Sequence, residues 1–412
     1  MDFTYLQEHL GELVSYMREH NYAESYISRY RITISQIVSH AAEQSWESYN
    51  DVYVWYQSQQ YKDCRLREIR AILGKLERFH LYSAYPDGKS SMSSFWDKKA
   101  SYYRLSSEYR GLVDYYCQAE RQRGLKETTV YSGSHKTASF LLALQNKGED
   151  SLKTVTEASV LSCFFDGEKQ IRGATCSKAA IAFFKVCMPL NQMACQRMIS
   201  FIPELRVARK NIAYLSDEEC SKIRAVLDDH ENGLWYKDRA IGMLLLYTGI
   251  RGGDIANLLL TAIDWKDDKI HFVQQKTQRP HELPLTAIVG NAIYDYCLYE
   301  RPRVDNPRLF LSCDAPHGAL TSDGIGVAVM RIMEKADIRQ SSGARKGTHI
   351  FRHRVATALL GNGVPRPVIS STLGQDAPFS LDPYLYADMV HLKDNALDVE
   401  PYAVLEGVFA NA

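Results

Sequence analysis

Apolar residues recur at helical spacing through most of the chain, and alternate only in one short stretch. Leu10, Leu13, Val14 and Met17 share one helical face, and Ile27, Ile34 and Ile37 share another. This first block runs over residues 1–86. Pro86-Asp87-Gly88-Lys89-Ser90-Ser91-Met92-Ser93-Ser94 then replaces periodicity with turn formers and reads as a linker. A second helical block covers 101–205. The third block, 213–412, mixes periods. Ser216 followed by Glu219 is a capping box that opens a helix. Residues 238–246 predict a buried helix, and Gly249 would end it. Residues 269–274 and 281–285 predict two strands, with Lys276-Thr277-Gln278-Arg279-Pro280 as the hairpin turn. Helices resume near Ala287, and Thr348 is placed to cap the helix that carries Arg352. The predicted class is mainly α with a small β-hairpin or sheet: two helical N-terminal modules followed by an α+β domain.

The first two blocks look like copies of one design. Glu24-Ser25-Tyr26-Ile27 matches Glu127-Thr128-Thr129-Val130, and Ser48-Tyr49-Asn50-Asp51-Val52 matches Ser151-Leu152-Lys153-Thr154-Val155. Both matches keep an offset of 103 residues, which predicts a duplicated helical module.

Composition narrows the class. A chain of 412 residues with 45% hydrophobic content can fill several cores. Its nine cysteines form no CxxC pair, which fits reduced thiols in a cytoplasmic protein. The start, Met1-Asp2-Phe3-Thr4-Tyr5-Leu6-Gln7-Glu8, is acidic and soon polar, unlike a signal peptide, and no apolar run is long enough to span a bilayer. The formal net charge is zero, so any contact with nucleic acid requires basic residues gathered on one face.

The candidate chemistry lies in the third block. Arg251 follows a helix end at Tyr247-Thr248-Gly249, with Asp254 three residues on; a fixed guanidinium presents a planar fork to phosphate, and a nearby acid can hold it. Lys276 stands in the hairpin turn, where it could deliver a proton to a leaving oxygen. His349 and Arg352 are three apart and share a helical face. His353 and Arg354 point elsewhere on that helix, toward backbone phosphates. No carboxylate or cysteine cluster accompanies these histidines at metal-ligand spacing.

In order, Thr248-Gly249-Ile250-Arg251, Lys276-Thr277, His349-Ile350-Phe351-Arg352-His353, Leu373-Gly374-Gln375 and Tyr384 resemble the tyrosine recombinase (phage-type integrase) family over about residues 214–390. The resemblance implies a catalytic set of Arg251, Lys276, His349, Arg352, Gln375 and Tyr384, with Asp254 in support. Gln375 stands where the family usually has histidine or tryptophan. Tyr384 is the implied nucleophile, nine residues after Gln375 in the run Pro378-Phe379-Ser380-Leu381-Asp382-Pro383-Tyr384-Leu385; Tyr386 is the alternative. Gly252-Gly253 replaces a bulkier pair, which implies a looser loop. The helical block 101–205 resembles a core-binding, SAM-like DNA-binding domain. Arg206, Arg209 and Lys210 on the connection, with Arg345, Lys346 and Arg354, are the implied DNA contacts. Residues 1–86 would bind arm-type DNA or another protein.

The implied reaction is cutting and rejoining of double-stranded DNA at specific sites through a 3′-phosphotyrosyl link and a Holliday junction, in a tetramer, for a mobile element. The arginines would stabilise the transition state, Lys276 would protonate the 5′ oxygen and His349 would take the phenolic proton. No metal or nucleotide cofactor is implied. An accessory directionality or DNA-bending protein is a further implied partner. The tail, with Met389, Val390, Leu392, Ala396, Leu397, Tyr402, Val404, Leu405, Val408 and Phe409, would dock on a neighbouring subunit or pack in cis. Two readings compete: a type IB topoisomerase-like strand-passage enzyme, and a DNA-binding accessory protein with a weakened site.

Overall fold

Helices form where the apolar spacing places them. The computed structural model describes residues 1–86, 101–205 and 213–375. It falls into two compact units, one made of Met1–Glu19 and Glu24–Arg209, the other of the remaining chain. Among the described residues, no helix is long and apolar enough to cross a membrane.

The first unit starts with α1 (Thr4–Glu8), α2 (Leu10–Glu19), α3 (Glu24–Gln44), α4 (Tyr49–Ser58) and α5 (Asp63–Tyr82). Leu13, Val14 and Met17 of α2 and Ile27, Ile34 and Ile37 of α3 are buried, as their spacing predicts. Next come α6 (Ser107–Gln122), α7 (Glu127–Gln145), α8 (Glu157–Phe164), a short antiparallel pair β1 (Phe165–Asp166) and β2 (Lys169–Gln170), α9 (Ala174–Cys187) and α10 (Gln192–Phe201). Phe140, Phe164, Phe183 and Phe184 fill the core of this second set. The β1–β2 hairpin departs from the wholly helical pattern of this block; its strands have only two residues each, too few to show an alternation.

The repeat survives in part. α3 and α7 begin at Glu24 and Glu127, and an arginine of the preceding helix clamps each glutamate: Arg18 Nε lies 2.6 Å from Glu24 Oε1, and Arg121 Nε 2.7 Å from Glu127 Oε1. Arg18 and Arg121 keep the same 103-residue offset. The second match does not hold. Ser48 caps α4 by accepting from the Asp51 N–H, whereas the cap of α8 is Thr156, which accepts from the Ser159 N–H; Ser151 lies five residues before that cap. The register slips at this point, and the β1–β2 hairpin follows.

The second unit opens with α11 (Asp217–Asp228). Its capping box is complete: Ser216 Oγ accepts from Glu219 N at 3.1 Å, and Glu219 Oε2 accepts from Ser216 N at 2.9 Å. Such a cap contributes about 1 kcal/mol. α12 (Tyr236–Thr248) is buried nearly all round and packs against α14 (Ala287–Asp295), α15 (Ser322–Lys335) and α16 (His349–Gly361). Between α12 and α14 lie α13 (Gly252–Asn257) and an antiparallel sheet of β3 (Ile263–Asp264), β4 (Lys269–Val273) and β5 (Pro280–Pro284), in the order β3-β4-β5. Ile270 of β4 faces Leu283 of β5, and both are buried, which fixes the hairpin register. β3 escapes sequence reading, because two residues carry no period. α17 (Arg366–Leu373) ends at Gly374, which is left-handed at φ +58°.

Candidate active site

The site forms where four backbone ends meet: the exit of α12, the β4–β5 turn, the start of α16 and the exit of α17. Gly249 ends α12 in the left-handed region at φ +62°, and Arg251 then stands at the start of α13. Arg251 Nη1 donates to Gln274 Oε1 at 2.9 Å, and Nη2 donates to the Gly374 carbonyl at 3.1 Å. Arg352, on α16, is 5% exposed; its Nη1 donates to the Gly249 carbonyl at 3.2 Å and its Nη2 to the Leu373 carbonyl. The two guanidinium groups are therefore anchored on adjacent carbonyls at the end of α17. These anchors are neutral oxygens, which do not cancel the positive charge.

Asp254 is buried, with Oδ2 3.8 Å from Arg251 Nη1. Its Oδ1 accepts from the Gln275 N–H at 2.8 Å. The carboxylate thus faces the arginine's charge without a hydrogen bond to it, and ties down the turn that carries Lys276. Lys276 itself is exposed at the tip of that turn. His349 is the first residue of α16. Desolvation lowers its pKa, and the cations of Arg352, Arg251 and Lys276 lower it further, so these four predicted residues share one electrostatic environment. Gln375 donates its backbone N–H to the Ser370 carbonyl at 2.8 Å, and its Oε1 is buried with no hydrogen-bond partner among the described residues.

Several expectations change. Thr348 stands at the cap position but is helical (φ −64°, ψ −29°) and makes no side-chain capping bond. Its side chain packs instead on Gly252, where an added Cβ would lie 2.9 Å from Thr348 Cγ2 and 3.0 Å from Oγ1. The Gly252 position is therefore a close approach, not a looser loop. His353 does not point away from His349: the two rings stack at 6.2 Å. They are four apart on one helix, which brings side chains together. Burial pushes the His353 pKa down to about 4, with help from His349, Arg352 and Arg345. Arg354 forms an ion pair with exposed Asp217 at the start of α11. Arg345 and Lys346 are both exposed in the loop before α16. Arg206, Arg209, Lys210, Tyr384, Tyr386 and the tail lie outside the described residues.

Two site residues carry too little local signal to be singled out from sequence. Gln274 is 2% exposed and accepts from Arg251 and, at 2.9 Å, from Thr277 Oγ1. His281 of β5 bonds through Nε2 to the Thr372 carbonyl at 3.0 Å, and desolvation, then Arg352 and Arg251, lowers its pKa. A polar residue ending an alternating strand is the one signal for Gln274. His281 has none, since it alternates as an ordinary strand residue.

The model of the phage integrase family matches residues 213–388. A relative in Sinorhizobium fredii, a candidate integrase/recombinase named y4gC, is 37% identical over 163 residues, which is 40% of this chain and 83% of that protein. The chain belongs to the phage integrase family. Two further relatives match over smaller shares of their length. The candidate integrase/recombinase y4rF of the same organism is 38% identical over 34% of this chain and 32% of that protein. The tyrosine recombinase XerC of Oceanobacillus iheyensis is 28% identical over 46% of this chain and 62% of its own length. Among solved structures, a XerH site-specific recombinase bound to palindromic difH substrate superposes with a TM-score of 0.53 at 19% identity, covering 73% of this chain and 93% of that one. A lambda integrase tetramer bound to a Holliday junction gives 0.51 at 16% identity, covering 77% and 89%. These structures establish the mainly helical integrase fold with its small sheet.

Proposed function

We propose that this member of the phage integrase family is a site-specific DNA recombinase that cuts and rejoins duplex DNA through a 3′-phosphotyrosyl intermediate. One observation carries the reading: Arg251 and Arg352 are seated on the neighbouring carbonyls of Gly374 and Leu373, with His349 and Lys276 in the same field. Two fixed guanidiniums can bind the non-bridging oxygens of one phosphate and stabilise the charge that develops during in-line attack. Tyr384 supplies the attacking phenolate. Its O–P bond forms as the P–O5′ bond breaks. His349, neutral at pH 7, accepts the phenolic proton, and Lys276 gives a proton to O5′. Return attack by a 5′-hydroxyl reverses these transfers, so the phosphoester energy is conserved.

Residues 101–205 serve as the core-binding module, with Arg206, Arg209 and Lys210 on the phosphates of the connection. Residues 1–86 form a second helical module related to it. Arg345, Lys346 and Arg354 add backbone contacts. Full exchange takes four copies on two duplexes, as a mobile-element integrase requires.

A pool of nicked duplexes of random sequence tests this without a defined target site. The chain is expected to become covalently linked to a subset, visible on a denaturing gel, and sequencing that subset gives the site. The link is expected to vanish in Tyr384→Phe and persist in Tyr386→Phe. Absence of any adduct would favour the accessory-protein reading.

A further inference from the structure

We propose that Gln274 is a positioning residue that joins the phosphate-binding arginine to the lysine turn, so that one side chain sets the place of Arg251 and of the turn that carries Lys276. The inference rests on the strand-transfer reading above. Gln274 follows β4 and is almost wholly buried. Its Oε1 accepts two hydrogen bonds, from Arg251 Nη1 at 2.9 Å and from Thr277 Oγ1 at 2.9 Å. Thr277 is the next residue after Lys276. The Gln274 backbone also closes the turn: its N–H donates to the Arg279 carbonyl at 2.9 Å, and its carbonyl accepts from Gln278 N at 2.8 Å. One residue thus spans the arginine and both ends of the turn.

The rest of the site is built around this side chain. An ideal Cβ on Gly374 would fall 1.8 Å from Gln274 Nε2, so the α17 exit is shaped to the glutamine. The acceptor is a neutral amide. A carboxylate would orient Arg251 as well, but would offset the charge that the phosphate needs. Asp254 holds the turn from the other side through Gln275 N. Arg251 and the turn are therefore linked twice, by the amide through two hydrogen bonds and by the acid through charge on one side and a hydrogen bond on the other. The two bridges differ in reach: Asp254 bonds ahead of Lys276, and Gln274 bonds behind it through Thr277.

The test separates proton delivery from phosphate binding. Single-turnover adduct formation is measured on a duplex recovered from the nicked pool, with either oxygen or a bridging sulfur at the 5′ leaving position. A thiolate leaves without needing a proton. Gln274→Met keeps the length and loses the acceptor. It is expected to slow the oxygen substrate by about tenfold or more and to recover in part on sulfur, the remainder being the acceptor that Arg251 also loses. Thr277→Val, on the half-buried edge of the turn, leaves the Arg251 bond in place and is expected to show a smaller loss on oxygen and to return to within about threefold of the unaltered chain on sulfur. Gln274→Glu keeps both bonds and is expected to slow the two substrates equally. Equal slowing of both by Gln274→Met, or no slowing at all, overturns the proposal. Failure of the unaltered chain to form an adduct on either substrate overturns the strand-transfer reading first, and this inference with it.

Discussion

Arg251 Nη2 reaches the carbonyl of Gly374 at 3.1 Å across 123 positions of sequence. This bond makes the exit of α17 part of the arginine's own anchor. The neighbouring carbonyl, on Leu373, anchors Arg352. The Leu-Gly-Gln signature thus has a structural meaning besides its last residue. It supplies two oxygens that fix two guanidiniums, and a left-handed glycine that lets the chain turn there.

Gly374→Ala is expected to damage both stability and chemistry. The left-handed φ of +58° costs a residue with a side chain about 1–2 kcal/mol, and the new Cβ would also collide with Gln274. Thermal unfolding should show a midpoint lower by roughly 2–4 °C for each kcal/mol lost. Adduct formation should fall further than that stability loss explains, because Arg251 loses its seat. Adduct formation at the unaltered rate would show that the Gly374 carbonyl does not orient Arg251.

The pH dependence has a defined sign. Desolvation, then Arg352, Arg251 and Lys276, lowers the His349 pKa from the ordinary value of about 6.5. As a proton acceptor it works when neutral, so the acid limb of adduct formation should lie below about pH 6.5. An acid limb above that value would contradict the role assigned to His349.

His353 provides a separate stability signal. Its folded pKa is pushed down to about 4 by burial and by His349, Arg352 and Arg345, while the unfolded value is near 6.5. The unfolded chain therefore binds the proton first. The contribution is fully present above about pH 6.5 and is lost as pH falls toward 4. Denaturant unfolding across this window should show a steeper loss for the unaltered chain than for His353→Gln. Identical slopes would mean that this ring is not desolvated in solution.

Salt dependence can rank the basic residues. Arg345 and Lys346 lie in the loop just before His349, whereas Arg354 is engaged with Asp217. Removing a true phosphate contact reduces the slope of log K against log salt by about one. Arg345→Ala with Lys346→Ala is expected to reduce it by about two on the same scale. Arg354→Ala is expected to reduce it by about one, since the pair with exposed Asp217 is worth at most about 1 kcal/mol and yields to phosphate. An unchanged slope for Arg354→Ala would leave that residue with Asp217 alone.

Much of this is legible in the sequence because it rests on short-range rules. The Ser216–Glu219 box, the stop at Gly249 and the β4–β5 hairpin are each set within a few residues, and each is found. His349 and Arg352 can be placed together because helical spacing is fixed. The parts that are not legible depend on distant partners. Nothing local tells that Gln274 receives Arg251, or that His281 meets the Thr372 carbonyl 91 residues on. Thr348 has the right type for a cap, yet its methyl is used against Gly252. The repeat is legible where the helices start alike and lost where the register slips before α8.

The contact between Gly252 and Thr348 gives the sharpest test of how closely the site is packed. Gly252→Ala would place a methyl 2.9 Å from Thr348 Cγ2, in a buried position with no positive φ to blame. Thr348 would have to move, and it immediately precedes His349. Overpacking of this kind costs about 1–3 kcal/mol. Gly253→Ala meets only Ser322 Oγ at 3.5 Å, an ordinary contact, and should be nearly neutral. Thr348→Ala removes both Cγ2 and Oγ1, so Gly252→Ala combined with Thr348→Ala should recover much of the loss in both melting temperature and adduct rate. A looser loop predicts the reverse, with Gly252→Ala stabilising the chain and the second change adding nothing. Melting curves of the two single variants and the double variant decide between a tight seat and a slack one.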